Sequence, residues 1–255
     1  MSSLFTPAGD GQWLPTDLAR GPWDPAALHG GPSAALLARA VEPLLAPLQP
    51  VRLTIELLRP VPVAPLRVDA QLRRDGRKVR LADATITHDG AVVASAAALA
   101  IRTKDVTVME QPSDRPAGPD AGAPLASALD AYEAFHNTGV EHRFVDGEFG
   151  VPGRATDWIR LRQPVVPDEE PSPLQRVAAA ADFGNGISGL DIFGSLLFIN
   201  PDLTIHLHRL PVGEWVCLEA ASRYADNGIG LAASRLYDEQ GSIGHSLQSL
   251  LLDVT

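Results

Sequence analysis

Two stretches of the chain carry the same order of apolar and polar runs. In the first stretch, a helix-like segment at 33–48 follows Gly30, Gly31 and Pro32, a glycine-proline pattern typical of a helix start. Strand-like runs follow at about 51–59, 66–74, 79–88 and 91–102. They are separated by the turn dipeptides Asp75-Gly76 and Asp89-Gly90, which suit hairpins. The pattern predicts one helix followed by an antiparallel meander of four strands.

The second stretch repeats this pattern at an offset of 150 residues. Leu53-Thr54-Ile55-x-Leu57-x-Arg59 recurs as Leu203-Thr204-Ile205-x-Leu207-x-Arg209. A helix is predicted from Ser172-Pro173 to about Phe183, with strands near 202–209, 215–224, 229–238 and 242–252. A chance match between two unrelated amphipathic strands is the alternative, but the turn spacing also agrees over some fifty residues.

A helix with its own antiparallel sheet, present twice, predicts an α+β architecture with two domains. We place the first domain at 1–103 and the second at 125–255. Residues 104–124 between them are rich in proline, glycine and alanine, and this composition predicts a linker that contributes little to either core.

Composition narrows the function classes. Apolar residues make up 45% of the chain and charged residues 20%, enough for two full cores. The formal charge of −10 argues against binding to nucleic acid, which requires Lys and Arg to neutralise phosphates. Cys217 is the only cysteine, which excludes an intrachain disulfide and a cysteine-built metal site. The N-terminus does not resemble a signal peptide, and no apolar run reaches the ~20 residues of a membrane span, so we expect a cytoplasmic protein.

The order and spacing of several motifs give a family resemblance. The chain resembles the double-hotdog acyl-CoA thioesterases, especially the bacterial type-II enzymes and their actinobacterial thioesterase-like relatives. The resemblance rests on His29-Gly30-Gly31-Pro32-x-x-Ala35, Leu58-Arg59-Pro60, Arg74-Asp75-Gly76, Asn200-Pro201-Asp202, His208-Arg209, Gly213-Glu214-Trp215 and Ser246-Leu247-Gln248. It implies a double hotdog fold, an acyl-CoA substrate and hydrolysis of its thioester.

In that family an Asp, a Gln and a Thr or Ser of the second domain hold the hydrolytic water. The resemblance assigns the Asp to Asp202, six residues before His208, and the Gln to Gln248 in the last strand. The hydroxyl position falls on Arg223, with Ser222 one residue away, so Ser222 is the candidate third member. The residues alone leave alternatives open: Asp202 also suits a solvated strand start, and Gln248 a structural hydrogen bond.

Two further features are candidates for binding the substrate. Gly30 and Gly31 place backbone N–H groups at a helix start, where an oxyanion could develop, although simple tight packing explains them as well. Arg74 belongs to a basic cluster around a hairpin, at positions 73, 74, 77, 78 and 80. This cluster could hold the phosphates of coenzyme A, and ordinary solvated charges are the alternative.

Three motifs resemble other sites and are set aside. His206 and His208 lie two apart like metal ligands, but no third ligand is evident, so no metal is expected. Gly184-x-Gly186-x-x-Gly189 matches a dinucleotide fingerprint but follows a predicted helix rather than a strand, so we interpret it as a helix stop and loop. Leu203 occupies the position where hotdog hydratases, whose loop resembles Asn200-Pro201, have their His.

These observations predict an acyl-CoA thioesterase that uses Asp-activated water, without cofactor or metal. The alternative is a hotdog protein that binds an acyl-CoA or a related acyl ligand without turning it over. The resemblance also leaves a homo-oligomer open, because hotdog sheets commonly associate.

Overall fold

The structure is a computed structural model that describes residues 2–109, 115–125, 132–190 and 196–254. The first half begins with a short hairpin, strands β1 (Phe5–Pro7) and β2 (Gln12–Pro15), and continues with helix α1 (Gly30–Leu45). The meander follows as β3 (Gln49–Leu57), β4 (Leu66–Arg74), β5 (Val79–His88) and β6 (Ala91–Ile101). The four predicted strands are therefore confirmed to within two residues at each end.

The second half contains the predicted elements and several that the sequence did not predict. A short strand β7 (Ala123–Pro124) and a π-helical turn at Phe135–Gly139 precede the hairpin β8 (Val140–Asp146) and β9 (Ala155–Leu161). Helices α2 (Pro173–Ala181) and α3 (Gly184–Ile187) follow, then β10 (Leu196–Ile199). The second meander consists of β11 (Asp202–Leu207), β12 (Val216–Tyr224), β13 (Ile229–Asp238) and β14 (Gly241–Val254).

One continuous sheet joins the two halves in the order β1-β2-β4-β5-β6-β3-β11-β14-β13-β12-β9-β8-β7, with β10 paired to β14. The halves meet where β3 and β11 pair antiparallel, and there Thr54 faces Thr204, its own partner in the repeat. A residue can face its repeat partner across an antiparallel pair only on a two-fold axis. The repeat therefore marks two equivalent half-molecules related by pseudo-two-fold symmetry.

Helices α1 and α2 lie against the inner face of this sheet and pack against each other. Both helices carry small buried side chains, among them Ala34, Ala35 and Ala38 of α1 and Ala178 and Ala181 of α2. Helix α1 begins at Gly30, three residues earlier than predicted, because His29 takes the N-cap position. The N-terminal end of α1 thereby reaches the C-terminal end of α2.

The predicted linker, residues 104–124, is exposed in its first part and packed against the second half in a later part. Residues 102–109 are extended and exposed, as expected, and 110–114 lie outside the described residues. The following part contacts the second half, where Trp158 Nε1 donates a hydrogen bond to the Ala117 carbonyl (2.7 Å) and Pro119 is buried. This part of the segment is thus in contact with the second half, contrary to the composition-based expectation.

The interpretation of Gly184-x-Gly186-x-x-Gly189 as a helix stop and loop needs a small correction. Residues 184–187 form the short helix α3, separated from α2 by two residues, and a loop follows. None of the described helices is both long and apolar enough to cross a membrane.

Candidate active site

A cavity of about 430 Å³ opens where the N-terminal end of α1 meets the C-terminal end of α2. Its walls come from both halves of the molecule, and its volume lies in the range of small-molecule sites. Most of the lining side chains are apolar: Trp23, Leu57, Val61, Phe149, Phe183 and Phe198. Several of the polar lining residues, among them His29, Asp182 and Asn200, lie at the junction of the two helices.

The buried carboxylate of Asp182 lies at this junction. Asp182 follows the last residue of α2, is 4% exposed, and lines the cavity. Its Oδ2 is 2.9 Å from Nδ1 of His29, which lines the same cavity. Its Oδ1 accepts a hydrogen bond from Asn200 Nδ2 at 2.8 Å. A buried carboxylate requires such partners, since an unpaired charge in this position is costly.

The electrostatics of the junction favour the charged form of Asp182. Burial raises its pKa, but the contacts with His29, Asn200 and the Gly31 N–H outweigh burial and hold the pKa below its ordinary value. The start of α1 also directs the positive end of the helix dipole at the carboxylate. We conclude that Asp182 is ionised at neutral pH.

The charge on Asp182 fixes the tautomer of His29. The Gly31 N–H lies 3.0 Å from His29 Nδ1, which would suit an acceptor nitrogen, and it also contacts the Asp182 carboxylate. A lone pair on Nδ1 would face a carboxylate oxygen at 2.9 Å, an unfavourable contact. We therefore assign the proton to Nδ1, which donates a hydrogen bond to Asp182. The Gly31 N–H is then a second donor to the same carboxylate.

Gly30 and Gly31 make this close approach of the two helix ends sterically feasible. A Cβ atom on Gly30 would lie 2.6 Å from Asp182 Oδ2, and one on Gly31 would lie 2.6 Å from the Ala179 carbonyl. Gly30 lines the cavity, whereas Gly31 is not among the lining residues, and the substrate-binding role of both stays a prediction. The packing explanation of the glycine pair is thus supported for both residues.

Gln248 supports Asp182 and Asn185 through hydrogen bonds of its side-chain amide. Its side chain is 1% exposed, and its Nε2 donates to the Asp182 carbonyl (3.1 Å) and lies 3.4 Å from Asp182 Oδ1. Its Oε1 accepts from the Asn185 N–H at 3.0 Å. Gln248 is not among the described residues that line the cavity, so the structure places it as a support for Asp182 and Asn185. We call Asp182, His29, Asn200, Asn185 and Gln248 the helix-end cluster.

The structure does not bring Asp202 into this cluster. Along β11, Leu203 and Ile205 are buried in the core, so the alternation of a strand directs Asp202 to the outer face. Gln248 points to the inner face, and the Asp202 carboxylate accepts a hydrogen bond from the Ser249 N–H at 2.7 Å. The catalytic role of Asp202 stays a prediction, and the geometry gives it no contact with the cavity.

Ser222 also lies apart from the cavity. It is 8% exposed on the inner face of β12, with its Oγ 2.8 Å from Ser188 Oγ, while Arg223 is exposed on the outer face. Because Ser188 Oγ donates to the Gly184 carbonyl, Ser222 is the donor in this pair. Of the two candidates for the hydroxyl position, only Ser222 points inward, and its hydroxyl is used in packing α3 onto the sheet.

Arg74 is exposed at the end of β4 and does not line the cavity. Among the described lining residues, the positive charge comes from Arg59, which belongs to the Leu58-Arg59-Pro60 motif and is exposed at the rim. Arg59 is therefore better placed than Arg74 to meet a phosphate outside the cavity.

Sequence reasoning missed Asp182, Asn200 and the pairing role of His29. The signal for Asp182 was an isolated acid directly after the apolar run Val177–Ala181. A charge at such a position is rare unless it is paired. Asn200 and His29 both belonged to quoted motifs, but without structure nothing connected residues so far apart in sequence.

His206 on β11 and His208 just after it show no metal-binding arrangement among the described residues. His206 and His208 are exposed. Across 2–109, 115–125, 132–190 and 196–254, the structure contains no group of three or more side chains suited to hold a metal ion.

Comparisons with known proteins agree with this architecture. The family model of the acyl-CoA thioesterase N-terminal domain matches residues 19–101, and that of the C-terminal domain matches residues 109–252. No curated protein sequence matches the chain. The matches to the two family models cover most of the chain.

Solved structures show the same fold. A thioesterase candidate from Novosphingobium aromaticivorans superposes with a TM-score of 0.76 at 21% identity, covering 99% of this chain and 100% of the other. An acyl-CoA thioesterase II of Mycobacterium marinum gives 0.67 at 16% identity, covering 98% and 96%. A hot dog protein of unknown function from Alicyclobacillus acidocaldarius gives 0.74 at 17%, covering 98% and 96%. The predicted double hotdog fold is confirmed.

Proposed function

Because the chain belongs to the acyl-CoA thioesterase family and is a thioester hydrolase, we propose that its helix-end cluster activates water to hydrolyse an acyl-coenzyme A. The observation that carries this proposal is the buried carboxylate of Asp182, 2.9 Å from His29, on the wall of a largely apolar cavity. Products are a carboxylic acid and free coenzyme A.

The shape of the cavity supports an acyl substrate. The aromatic and aliphatic walls suit a hydrocarbon chain or ring, which gains about 25 cal/mol for each Å² of apolar surface removed from water. The polar junction lies on one side of these walls, where the thioester carbonyl would sit beside His29 and Asp182. Trp23 packs edge-on against Phe198 at 5.1 Å between ring centroids, and together they form one wall of the cavity.

Backbone donors at the start of α1 complete the arrangement. The first N–H groups of a helix have no intrahelical acceptor, and Gly30 is both the first residue of α1 and a lining residue. We assign the Gly30 N–H as a donor to the oxyanion that forms when water attacks the carbonyl. The Gly31 N–H is already directed to Asp182 and is not available for this role.

Thiol release measures the proposed activity directly. The protein is mixed with acyl-CoAs of short, medium and long chain, and free coenzyme A is detected with a thiol reagent. We expect continuous release with at least one chain length. A protein that binds acyl-CoA, as shown by a raised melting temperature, but releases no thiol would be the non-hydrolytic binder and would overturn the proposal.

Arg59 is proposed to contact a phosphate of coenzyme A. The matched pair Arg59→Ala and Arg74→Ala tests this, since both variants remove one exposed positive charge. Arg59→Ala should raise KM for acyl-CoA several-fold, consistent with loss of one exposed phosphate contact, and leave KM for an acyl-N-acetylcysteamine thioester unchanged because that substrate lacks phosphates. If Arg74→Ala gives the larger effect, the basic hairpin is the docking site instead.

A further inference from the structure

The helix-end cluster contains two groups that could take a proton from water, the carboxylate of Asp182 and the imidazole of His29. We propose that Nε2 of His29 takes the proton from the attacking water, and that Asp182 is a positioning residue that orients the imidazole. This proposal rests on the thioester hydrolysis proposed above and names the atom that performs its proton transfers.

The hydrogen bonds of Asp182 argue against the carboxylate as the base. Its oxygens are engaged by His29 Nδ1, Asn200 Nδ2 and the Gly31 N–H, and Gln248 Nε2 lies close to Oδ1. A water molecule would compete with these donors for the same lone pairs. The lowered pKa also makes this carboxylate a poor proton acceptor.

The geometry of His29 favours the imidazole. With Nδ1 directed at Asp182, the opposite edge of the ring is the one that can face the cavity that His29 lines. Among the described residues no hydrogen bond is made to Nε2, and the tautomer assigned above leaves a lone pair on this nitrogen. The ring packs against Phe135 and Phe183, with centroid distances of 5.2 and 4.6 Å, and these two phenyl rings also contact each other at 5.5 Å. Nε2 is thus a fixed, available base.

The proposed step balances without any further reactant. The water oxygen forms a bond to the thioester carbonyl carbon as Nε2 accepts one water proton. The tetrahedral intermediate then breaks its C–S bond, and the Nε2 proton passes to the sulfur, which leaves as the free thiol. Asp182 stays ionised throughout and stabilises the imidazolium that exists between the two transfers.

The pH dependence distinguishes the two bases. Imidazoles ordinarily titrate between about pH 5 and 8, whereas the pKa of Asp182 is held below its ordinary value, so a carboxylate base would give its activity limb at lower pH than an imidazole. The other titratable or charged groups that line the cavity are Asp24 and Arg59 at the rim and His136 in the π-helical turn. Because His136 also carries an imidazole and lines the cavity, a variant of His29 is required to assign a limb to His29.

The experiment measures kcat/KM from pH 4.5 to 9 with an acyl-N-acetylcysteamine thioester, which has no phosphate that titrates in this range. The wild type should lose activity about tenfold for each pH unit below the histidine limb. His29→Asn can place an amide nitrogen near the position of Nδ1, where it still donates to Asp182, but it removes Nε2. We expect it to be slower by about 10²–10⁴-fold and to lack the limb.

Three results would overturn the proposal. A wild-type profile with no activity limb anywhere between pH 4.5 and 9 contradicts an imidazole base and needs no variant, so misfolding of His29→Asn cannot obscure it. A folded His29→Asn that retains the wild-type rate, or a slower one that retains the limb, assigns the proton transfer to another group. Absence of any thioester hydrolysis by the wild type refutes the proposed function itself, which is a separate outcome.

Discussion

Replacing Gly30 by alanine adds one methyl group directly against the Asp182 carboxylate. The new Cβ atom would lie 2.6 Å from Oδ2 and 2.7 Å from Oδ1, whereas ordinary contact begins at 3.4 Å. The carboxylate must therefore move by roughly 0.8 Å, the difference between 2.6 and 3.4 Å. Displacement along the contact would lengthen the 2.9 Å distance to His29 Nδ1 to as much as about 3.7 Å, beyond the range of a hydrogen bond.

The expected consequence is a loss of turnover with little loss of fold. Misplacement of a catalytic group by about 1 Å can cost about 10² in rate. Overpacking costs about 1–3 kcal/mol of stability, and alanine recovers up to about 1 kcal/mol through its helix propensity. Against a typical stability of about 5–15 kcal/mol, the variant should remain folded at room temperature.

Thiol release gives kcat for Gly30→Ala, and a melting curve confirms that the variant is folded. Gly118→Ala is the matched control, because a Cβ atom there meets nothing within 4 Å and the backbone has an ordinary negative φ. We expect the control to match the wild type and Gly30→Ala to be slower by about 10²-fold. Wild-type turnover by Gly30→Ala would refute the claim that the position of the Asp182 carboxylate limits the rate.

Further predictions concern stability. Burial raises the pKa of Glu42, and this effect exceeds the opposite effect of the hydrogen bonds from Ser172 and Gln175. Native stability is therefore lost as pH rises through that pKa. Glu42→Gln should raise the melting temperature at pH 7 more than at pH 4. The lowered pKa of Asp182 contributes stability that is present above about pH 4, the ordinary range of an aspartate, and is lost as pH falls. The decline of the melting temperature below pH 4 should therefore be smaller in Asp182→Asn than in the wild type. Ser222→Ala loses one buried hydrogen bond, so it should cost about 1 kcal/mol in denaturant unfolding and keep turnover within about threefold of wild type.

Much of the fold could be predicted because the repeat encodes it twice. Matching strand patterns and hairpin turns identified both meanders, and the two copies of Leu-Thr-Ile marked the strands that join them. The hairpin of β1 and β2 and that of β8 and β9 were missed. Their strands are short or flanked by irregular loops, and they add to the outer edges of the sheet rather than to the repeated meander.

The site could be predicted only in part, because it depends on which face of a strand a residue occupies. Gln248 was identified as a polar residue in an apolar strand, and the structure places it at the cluster. Asp202 was selected by its spacing from His208, although its alternation with Leu203 and Ile205 already indicated the outer face. The contact between His29 and Asp182 joins ends of two helices that are far apart in sequence, and no local pattern encodes it.

The pseudo-symmetry gives the helix-end cluster a counterpart with different residues. At the opposite ends of the same helices, Glu42 in the last turns of α1 accepts hydrogen bonds from Ser172 and Gln175 at the start of α2. This junction has a carboxylate, but its partners are a hydroxyl and an amide, without an imidazole. Glu42→Gln therefore provides a carboxylate-to-amide control at the second helix junction of the same molecule.

The most direct test of the account is a comparison of acyl-CoA turnover by Asp182→Asn and Asp202→Asn. Both changes keep the size of the side chain and remove one negative charge, one on the cavity wall and one on the outer face of the sheet. Circular dichroism and melting curves first establish that both proteins are folded. We predict that Asp182→Asn is slower by at least about 10²-fold and that Asp202→Asn remains close to wild type. The reverse order, with Asp202→Asn inactive and Asp182→Asn active, would contradict the account.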